Sequence, residues 1–526
     1  MRTINYITAI FAIAASTAVQ GAQADTLRSF PSLEKREIQK SGMQWEKTTN
    51  AAGMNYGSVD KGSYTTLGIY NGAGDYHRVQ EGSEKRGLLF ETERYDKLND
   101  KIFVKGTFSF NMDKEFDKGW SDVYNPYNNN PFIYGSSVRG TYETQKFDLG
   151  LRAYTKYKSR FNYGLSIDYK VADIARQRDP RSRSYHLDYS VKPAVVFEIG
   201  KKHTAGLNLS YRFGKEKMPG LTTIQTDPNL KYYTFTGLEH AEGKIGGYKG
   251  FSRQFLSDYY GGAIQYNYRG EKSKLLVSAG FDARWEETLG NLRQSPGSYN
   301  EFTYSLLADY QAERGNMLHN LRAEAVVRDG GADEFRQELN SVIDTLTGVT
   351  TETWNTIYVY KNRFVVKTSD FRISWNTTSL DAGRNSYRWM AGAEAGYEGF
   401  SNNYYLPHSE YASGKLLFSV NGKARLLNSR KGVLILSASA GASLNTSSKL
   451  SLATQSVIGD EILTPDFEYH QKNTIKINGE LRYTFPLRMI KSTPILGYAS
   501  LYGGNLFAAG GAGWYSAGIS IGILTL

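Results

Sequence analysis

The sequence contains no cysteine. This absence excludes disulfide bonds, thiol nucleophiles and cysteine-based zinc sites. It also fits a chain that is exported through an oxidising compartment, where stray thiols would pair wrongly. The formal net charge is +11, but no dense run of Lys and Arg is present. Nucleic acid is therefore the weakest explanation of the basic balance, and no nucleic-acid partner is predicted.

The chain also lacks a long apolar run outside its N-terminus. Arg2, the apolar stretch 7–19 and the small-residue site Ala22-Gln23-Ala24 are typical of a cleaved signal peptide. After residue 24 no run of roughly 18 apolar residues follows, which excludes a membrane-spanning helix. An exported chain of this kind is secreted, periplasmic or an outer-membrane β-barrel. A mean hydropathy of −0.48 does not exclude the barrel, because barrel strands alternate apolar with polar residues.

Alternation with a period of two residues is the most informative pattern in the sequence. In the segment 161–171, Phe, Tyr, Leu, Ile and Val occupy one face, and Asn, Gly, Ser, Asp and Lys occupy the other. The segments 205–213, 275–285 and 475–485 repeat the pattern. Such strands have the length of a tilted membrane crossing. We therefore predict an all-β fold, a transmembrane antiparallel β-barrel of about 18 strands, with 16 or 14 strands as alternatives.

The connections between these strands alternate between short turns and long loops. Short turns on the periplasmic side and long extracellular loops are typical of outer-membrane barrels. The long loops are expected at 115–143, 215–256, 329–354 and 447–469. A soluble β-sandwich is the alternative, in which the aromatic residues near the strand ends would pack in a core. The predicted strands are 63–72, 87–97, 102–114, 144–156, 161–173, 185–199, 203–214, 257–269, 274–287, 299–312, 316–328, 355–376, 386–399, 411–427, 432–446, 470–486, 493–503 and 511–526.

Three regions follow from these patterns. Residues 1–24 are expected to be the signal peptide, and residues 63–526 the outer-membrane barrel. The polar segment 25–62 between them is expected inside the barrel or at its periplasmic mouth, with a floppy leader as the alternative. We expect the exported protein to reside in the outer membrane of a Gram-negative bacterium.

No catalytic motif stands out. The seven His are scattered over different segments, and no HExxH, P-loop or GxSxG pattern occurs. We therefore predict no enzyme activity, no cofactor and no metal site. A barrel-embedded hydrolase remains an alternative, because Ser, His and Asp can be assembled from different strands.

Charged residues on the polar faces are candidates for the lining of the lumen. A ring of Arg and Lys favours anions, so these residues predict a polar channel with a mild anion preference. Alternatively, the charges pair with one another and fill the interior. The Tyr/Asn-rich segment 124–132 and the pair Tyr232-Tyr233 lie in long loops that could bind a ligand or partner, or fold into the pore. The candidate lumen residues are Lys170, Arg212, Asp282, Arg284, Arg322, Glu324, Lys423, Arg425, Lys476, Glu480 and Arg482.

Three features of the sequence occur together: Trp45 with Asn50-Ala51-Ala52-Gly53 in the leader, Tyr-rich alternating strands, and a strand at the C-terminus. In these features the chain resembles a family of uncharacterised outer-membrane barrels from Bacteroidetes. The resemblance implies an accessory role in nutrient import, with a TonB-dependent transporter or a surface lipoprotein as partner. The leader has a looser likeness to FadL-type channels, which often carry Asn-Pro-Ala there, whereas Ala51 stands in place of the proline here.

The expected function is to pass small solutes across the outer membrane or to assist their uptake. A closed barrel that binds or scaffolds a TonB-dependent transport system is the first alternative, and the barrel hydrolase is the second. An outer-membrane location also implies contact with outer-membrane lipid and lipopolysaccharide, and with the barrel assembly machinery.

Overall fold

Eighteen long strands form one closed antiparallel barrel, which confirms the predicted fold class and strand number. The computed structural model describes residues 33–57, 59, 61–157, 159–225, 227, 229–381, 383, 386–490 and 493–525. The predicted signal peptide, residues 1–24, lies outside the described residues. We number only the barrel strands: β1 (Gly62–Gly74), β2 (Glu84–Lys97), β3 (Ile102–Lys118), β4 (Gly140–Thr155), β5 (Phe161–Arg176), β6 (Arg181–Ile199), β7 (His203–Met218), β8 (Arg253–Arg269), β9 (Ser273–Leu289), β10 (Gly297–Arg314), β11 (Met317–Ile343), β12 (Thr350–Leu380), β13 (Tyr387–Tyr404), β14 (Ser409–Ser429), β15 (Gly432–Ser451), β16 (Thr474–Ile490), β17 (Thr493–Ala508) and β18 (Gly513–Thr525).

Each strand pairs with the next one in the chain, and β18 pairs with β1 to close the ring. The closing register runs from Ser63 opposite Thr525 to Gly74 opposite Trp514. At one end of the barrel, here called the short-turn end, the connections include 98–101, 200–202, 270–272, 315–316 and 430–431. At the other end, the loop end, the long connections are 119–139, 219–252 and 452–473. Three of the four predicted long loops are therefore present, but the connections 177–180, 405–408 and 509–512 at the same end have only four residues each, so the alternation is not regular.

The outer wall of the barrel is apolar and the inner wall is polar. In β5, Phe161 and Tyr163 are 48% and 54% exposed on the outside, whereas Asn162 and Ser166 are buried on the inside. Large exposed apolar side chains recur on the outer face of most strands. Soluble monomers seldom expose so extensive an apolar surface. A lipid-facing band explains it, because the outer face of a transmembrane barrel contacts hydrocarbon.

The hairpin of β11 and β12 extends well beyond its neighbours. The pairing of β10 with β11 ends at Glu334, and that of β12 with β13 begins at Phe364. Residues 335–363 therefore form a two-stranded ribbon that projects from the loop end. The prediction of a long loop at 329–354 is wrong here. Water surrounds both faces of this ribbon, so its sequence needs no apolar alternation, and only 355–363 falls within a predicted strand.

The remaining elements are short and belong to the leader and the loops. Helix α1 (Leu33–Gly42) and two 3₁₀ turns, Gln44–Lys47 and Ala51–Tyr56, precede the barrel. Helix α2 (Thr464–Gln471) follows a π-helical turn (Gly459–Leu463) in the loop after β15, so the predicted strand start at residue 470 is wrong. Pro465 in the first turn of α2 favours the helix start. None of the helices in the described part of the chain is both long and apolar enough to cross a membrane. The loop end also carries short strands at Tyr134–Gly135, Leu221–Thr222, Lys231–Gly237 and His240–Ile245, and a 3₁₀ turn at Asn291–Arg293.

Candidate functional site

The leader, defined here as residues 33–57, lies inside the short-turn end of the barrel. Its helix α1 has Glu34 in the first turn and Lys40 in the last turn, the arrangement that complements the helix dipole. Arg36 and Lys40 both form ion pairs with Glu93 of β2, and the Lys40 pair has an N–O distance of 2.7 Å. The helix is therefore tied to the first strands of the wall.

A second group of contacts ties the same helix to the opposite part of the ring. The carboxylate of Glu37 accepts hydrogen bonds from Tyr387 of β13 at 2.6 Å, Lys423 of β14 at 3.1 Å and Arg482 of β16 at 2.8 Å. Burial acts to raise the pKa of Glu37, but the charges of Arg482 and Lys423 outweigh it, and the pKa lies below its usual range. Glu37 is therefore ionised at neutral pH and neutralises two cations of the inner wall.

The two 3₁₀ turns of the leader contact further positions on the wall. Gln44 donates a hydrogen bond to the backbone carbonyl of Asp309 in β10 at 2.8 Å, and Lys47 forms an ion pair with the carboxylate of Asp309. Glu46 accepts hydrogen bonds from Tyr95 at 2.6 Å and from Lys105, which lie on β2 and β3. The contacts of the leader thus extend around the circumference and close this end of the lumen.

The motif Asn50-Ala51-Ala52-Gly53 allows this close packing. The side chain of Asn50 accepts a hydrogen bond from the backbone of Gly53 and caps the 3₁₀ turn, and it donates to Gln265 of β8 at 2.9 Å. Ala51 and Ala52 are fully buried. A Cβ on Gly164 of β5 would lie 2.2 Å from the backbone nitrogen of Ala52, so the wall itself must be glycine here. The small residues let the backbone of the leader lie directly against the barrel.

The loop end is closed by a cap made of the connections 119–139, 219–252 and 452–473. Strand Lys231–Gly237 pairs with His240–Ile245 on one side and with Tyr134–Gly135 on the other. Asp122 joins this small sheet to the wall, because it accepts hydrogen bonds from Tyr232 at 2.6 Å and from Tyr142 at 2.7 Å. The cap packs against inward residues of the barrel in one large apolar cluster: Val123, Phe132, Tyr134, Met218, Leu230, Tyr232, Leu238, Tyr248, Phe255, Tyr299, Ala332, Phe364, Val366, Tyr404, Tyr411 and Leu463.

Between the leader and the cap, the inner wall of β11–β13 carries partly exposed charges. Arg372 pairs with Asp370 at 2.9 Å, with Glu394 at 4.0 Å and with Glu398, and each of these side chains is about 40% exposed. Charged groups that retain such exposure inside a barrel face water rather than protein. The middle of the lumen, between the leader and the cap, is therefore a polar, water-exposed chamber.

The candidate lumen residues fall into two groups. Most of them pair with nearby groups in the described part of the chain. Arg212 pairs with Asp188 at 2.5 Å, and Arg284 pairs with Glu286 at 2.6 Å. Asp282 accepts a hydrogen bond from Ser210 at 3.0 Å, and Arg322 pairs with Glu324. Lys423, Arg425 and Arg482 point at the leader, where they meet Glu37 and Glu34; Arg425 also pairs with Asp381 at 2.7 Å.

Lys170, Lys476 and Glu480 are placed differently. Lys170 of β5 and Lys476 of β16 are exposed. Glu480 is half-buried and lies on the same inward face of β16 as Lys476. Nothing local in the sequence indicates that Glu34 and Glu37 of the leader are the partners of the lumen cations. The sequence does contain the elements, a charged helix before the barrel and cations near the short turns, but their pairing spans 386 residues for Lys423 and 445 for Arg482.

In the described ranges, no three His, Asp or Glu side chains are grouped so that they could hold a metal ion. The leader and the cap are joined to the wall by hydrogen bonds, ion pairs and apolar contacts. All of these contacts are reversible.

The structure is similar to solved outer-membrane receptors at low identity. The siderophore receptor PiuA from Acinetobacter baumannii is 8% identical, with a TM-score of 0.35, and 88% of this chain and 81% of that chain are covered. The FrpB iron transporter from Neisseria meningitidis (F3-3 variant) is 9% identical, with a TM-score of 0.37 and coverages of 87% and 81%. BauA, the ferric preacinetobactin receptor from Acinetobacter baumannii, is 11% identical, with a TM-score of 0.35 and coverages of 88% and 80%. Likenesses this weak carry no argument about function.

No curated protein matches the sequence of this chain. One family profile does match it, over residues 51–524, which begins at the Ala51 of the leader and extends through β18. The chain belongs to this family, the family of unknown function DUF6850.

Proposed function

We propose that the protein is an outer-membrane barrel that is closed in the state seen here and that opens to pass small solutes or to assist their uptake. The observation that carries the proposal is the polar chamber, which lies between the leader and the cap, two segments that are held to the wall only through non-covalent contacts. A barrel with a purely structural role needs no water-lined interior. The proposed role is non-enzymatic, because moving a solute requires no covalent chemistry.

The outer face supports a membrane location. Outward aromatic residues lie near both ends of the strands: Trp285 is four residues from the loop end of β9, and Tyr310 is four residues from the short-turn end of β10. Both side chains are more than 40% exposed. Tyrosine and tryptophan favour the membrane interface, where the ring is in hydrocarbon and the polar atom is in water. We take the short-turn end to be periplasmic, as in outer-membrane barrels generally.

A second candidate function is a closed barrel that acts as a binding or scaffold partner of a TonB-dependent transport system. The closure of both ends favours it, and the projecting ribbon 335–363 offers a surface that no other part of the barrel covers. This second proposal includes an origin of the protein in Bacteroidetes and a surface lipoprotein as its partner. The two candidates differ in whether solute ever crosses the lumen.

Conductance in a planar bilayer separates them if both closures are removed. Met218 and Arg253 are opposite each other in the register of β7 and β8, so an Asn-Gly turn can replace residues 219–252 without breaking the ladder. We would compare the wild type, this loop replacement, a deletion of 33–57, and the combined variant. Folding of each is checked by the heat-dependent mobility of the barrel on gels.

We expect the wild type to be silent and the combined variant to give stable open steps. The deletion frees the cations Lys423 and Arg482 on one side of the ring and the carboxylates Glu93 and Asp309 on the other, so we expect open steps with no strong preference for either sign of charge. If the combined variant is folded and still silent, the cap connections 119–139 and 452–473 are replaced as well, and silence of that variant would rule out solute passage and leave the scaffold. The two single variants show which closure dominates.

A further inference from the structure

A groove runs across the outer wall of the barrel on β4–β7, towards the loop end. Its volume is about 380 Å³, and apolar side chains supply nearly all of its accessible surface. It lies on the side of the wall that faces away from the lumen, so the proposed solute path does not use it. We call it the outer groove, and the side chains along it include Phe147, Tyr169, Val171, Leu187, Lys215 and Lys217.

The outer groove crosses the boundary between the apolar and the polar part of the outer wall. The outward positions of β7 are apolar or aromatic from Ala205 to Phe213, and Lys215 and Lys217 are the last two outward positions before the strand ends at Met218. At a strand tilt of about 40° the apolar stretch covers about 20 Å across the membrane, which is close to the apolar band of about 25 Å in outer-membrane barrels. The two lysines therefore lie at the edge of the hydrocarbon, where lipid headgroups begin.

The charges of these two lysines are not balanced by the wall. Asp173 of β5 also lines the groove, but it pairs with Arg183 of β6 at 2.5 Å. Among the described residues, neither Lys215 nor Lys217 has an ion-pair partner. None of the four residues opposite them on β6 and β8 is charged: Tyr185, Leu187, Gln254 and Leu256. The charged end of the groove therefore has an excess of two positive charges.

The apolar part of the groove is continuous with the two cations. In the register of the sheet, Phe147, Val171 and Leu187 lie side by side, and Lys215 is the next residue in that row. Polar groups are unfavourable in the hydrocarbon layer, so the apolar part accepts a hydrocarbon chain. Lysine attracts phosphate as a point charge, so the charged end accepts a phosphorylated headgroup. A soluble anion would leave the apolar part empty, and a neutral lipid would leave the lysines without a counter-charge; the ligand class is therefore a phosphorylated lipid.

We propose that the outer groove binds lipopolysaccharide, with a phosphate of the headgroup at Lys215 and Lys217 and one acyl chain along the apolar part. The loop end, taken above as extracellular, faces the leaflet that lipopolysaccharide occupies, whereas anionic phospholipid belongs to the other leaflet. The site rests on the membrane location proposed above. It does not depend on solute passage, because a barrel that never opens still contacts lipid through its outer wall.

The test is native mass spectrometry of the purified full chain in a non-ionic detergent, titrated with lipid A, the lipid part of lipopolysaccharide. The comparison ligands are lipid A without its phosphates and phosphatidylglycerol. We expect a first lipid A to bind at a clearly lower concentration than later ones, and both comparison ligands to bind more weakly. The absence of a preferred first lipid A would overturn the site. Equal binding of the dephosphorylated form would refute the role of the lysines, and equal binding of phosphatidylglycerol would refute lipopolysaccharide as the occupant.

Variants locate the binding in the outer groove. Lys215→Gln combined with Lys217→Gln should weaken lipid A binding about 30-fold, since each basic residue at a membrane surface contributes about fivefold. Lys201→Gln combined with Lys202→Gln is the matched control, because it removes two exposed cations from the turn between β6 and β7 at the other end of the barrel. Val171→Trp fills the apolar part and should weaken binding although both lysines are kept. Gel mobility checks that each variant is folded.

Unchanged affinity in the double lysine variant or in Val171→Trp would place the lipid elsewhere and refute the site. An equal loss in the matched control would show that only the total charge matters, which also refutes it. The assay needs no open lumen, so its outcome is independent of the conductance experiment: a barrel that never conducts can bind lipid A, and a conducting barrel can fail to bind it.

Discussion

The substitution Glu37→Gln tests whether the leader closes the short-turn end. Glu37 is the one leader carboxylate that receives three side-chain donors in the described structure, from Tyr387, Lys423 and Arg482. The amide oxygen of glutamine can still accept one or two of them, but the charge that balances Lys423 and Arg482 is lost. The side chain of Arg482 is only 10% exposed, so it would lose its ion-pair partner in the wall and keep only the more distant charge of Glu480.

The size of the effect follows from these contacts. Removing one partner of a buried ion pair costs about 3–5 kcal/mol. Lys423 is 33% exposed and partly screened by water, and glutamine keeps a hydrogen bond, so we expect about 2–4 kcal/mol. At 1.4 kcal/mol for each factor of ten, the undocked fraction of the leader rises about 30-fold to 700-fold. The barrel itself should remain folded.

The absence of native cysteine provides a clean assay. Ser439 lies on the inward face of β15, further from the short-turn end than Ser437, which is paired with Lys423. A Ser439→Cys reporter is then modified by a water-soluble thiol reagent only when the chamber is open. We expect slow modification in the otherwise wild-type chain and a rate that rises with Glu37→Gln in proportion to the undocked fraction.

A matched control removes one acidic charge at the same end without touching the leader. Asp100→Asn is suitable, because that side chain is 93% exposed in the turn between β2 and β3. It should leave the reporter rate unchanged. If the rate is already fast in the wild type, or is the same with Glu37→Gln, the leader does not close the barrel and the reasoning above fails.

Three further predictions concern pH, lipid and the projecting ribbon. Because the pKa of Glu37 is lowered in the docked state, docking is stabilised above the usual carboxyl range and weakens as the pH falls through the lowered value; hydrogen exchange of α1 should therefore speed up on acidification and stay constant between neutral and mildly alkaline pH. Leu209→Arg on the outer face of β7 should cost the folded barrel about 2–4 kcal/mol in lipid vesicles, measured by denaturant unfolding, and a cost near zero would show that this face does not contact hydrocarbon. Trypsin should cleave the ribbon at Arg336 or Lys361 before the barrel, because an isolated two-stranded hairpin is only marginally stable, and early cuts in the barrel strands instead would contradict an isolated ribbon.

The barrel could be predicted from the sequence because the physical contrast that forms it is local. Each strand of the wall has lipid on one face and protein or water on the other, so Phe161, Tyr163 and Leu165 alternate with Asn162 and Gly164. That contrast disappears in the ribbon 335–363, which has water on both faces. The same physical rule therefore explains why the strands of the wall were predicted and why part of the ribbon was predicted as a loop.

The two closures could not be predicted in detail, because their contacts are not local. Glu37 meets Arg482 across 445 residues, and nothing near either residue in the sequence indicates the other. The cap likewise depends on the hydrogen bond between Tyr232 and Asp122, which are 110 residues apart. The sequence did mark the Tyr/Asn-rich segment 124–132 as a candidate for binding a ligand or entering the pore, since an unpatterned run of such residues has no role in a strand.

The closing seam between β1 and β18 has a consequence for the order of assembly. It joins Ser63 to Thr525 across 462 residues, and loop-closure entropy makes such a contact unfavourable until the strands between them are paired. The ring therefore closes last. The leader, which precedes β1 in the chain, contacts strands from β1, where Arg36 lies over Tyr64, to β18, where Leu33 packs in one cluster with Leu524. It has its full set of partners only once the ring is complete. Docking of the leader thus marks the end of barrel assembly: a ring that closes without one strand cannot present the positions of Glu93, Asp309 and Arg482 together, and its lumen stays open.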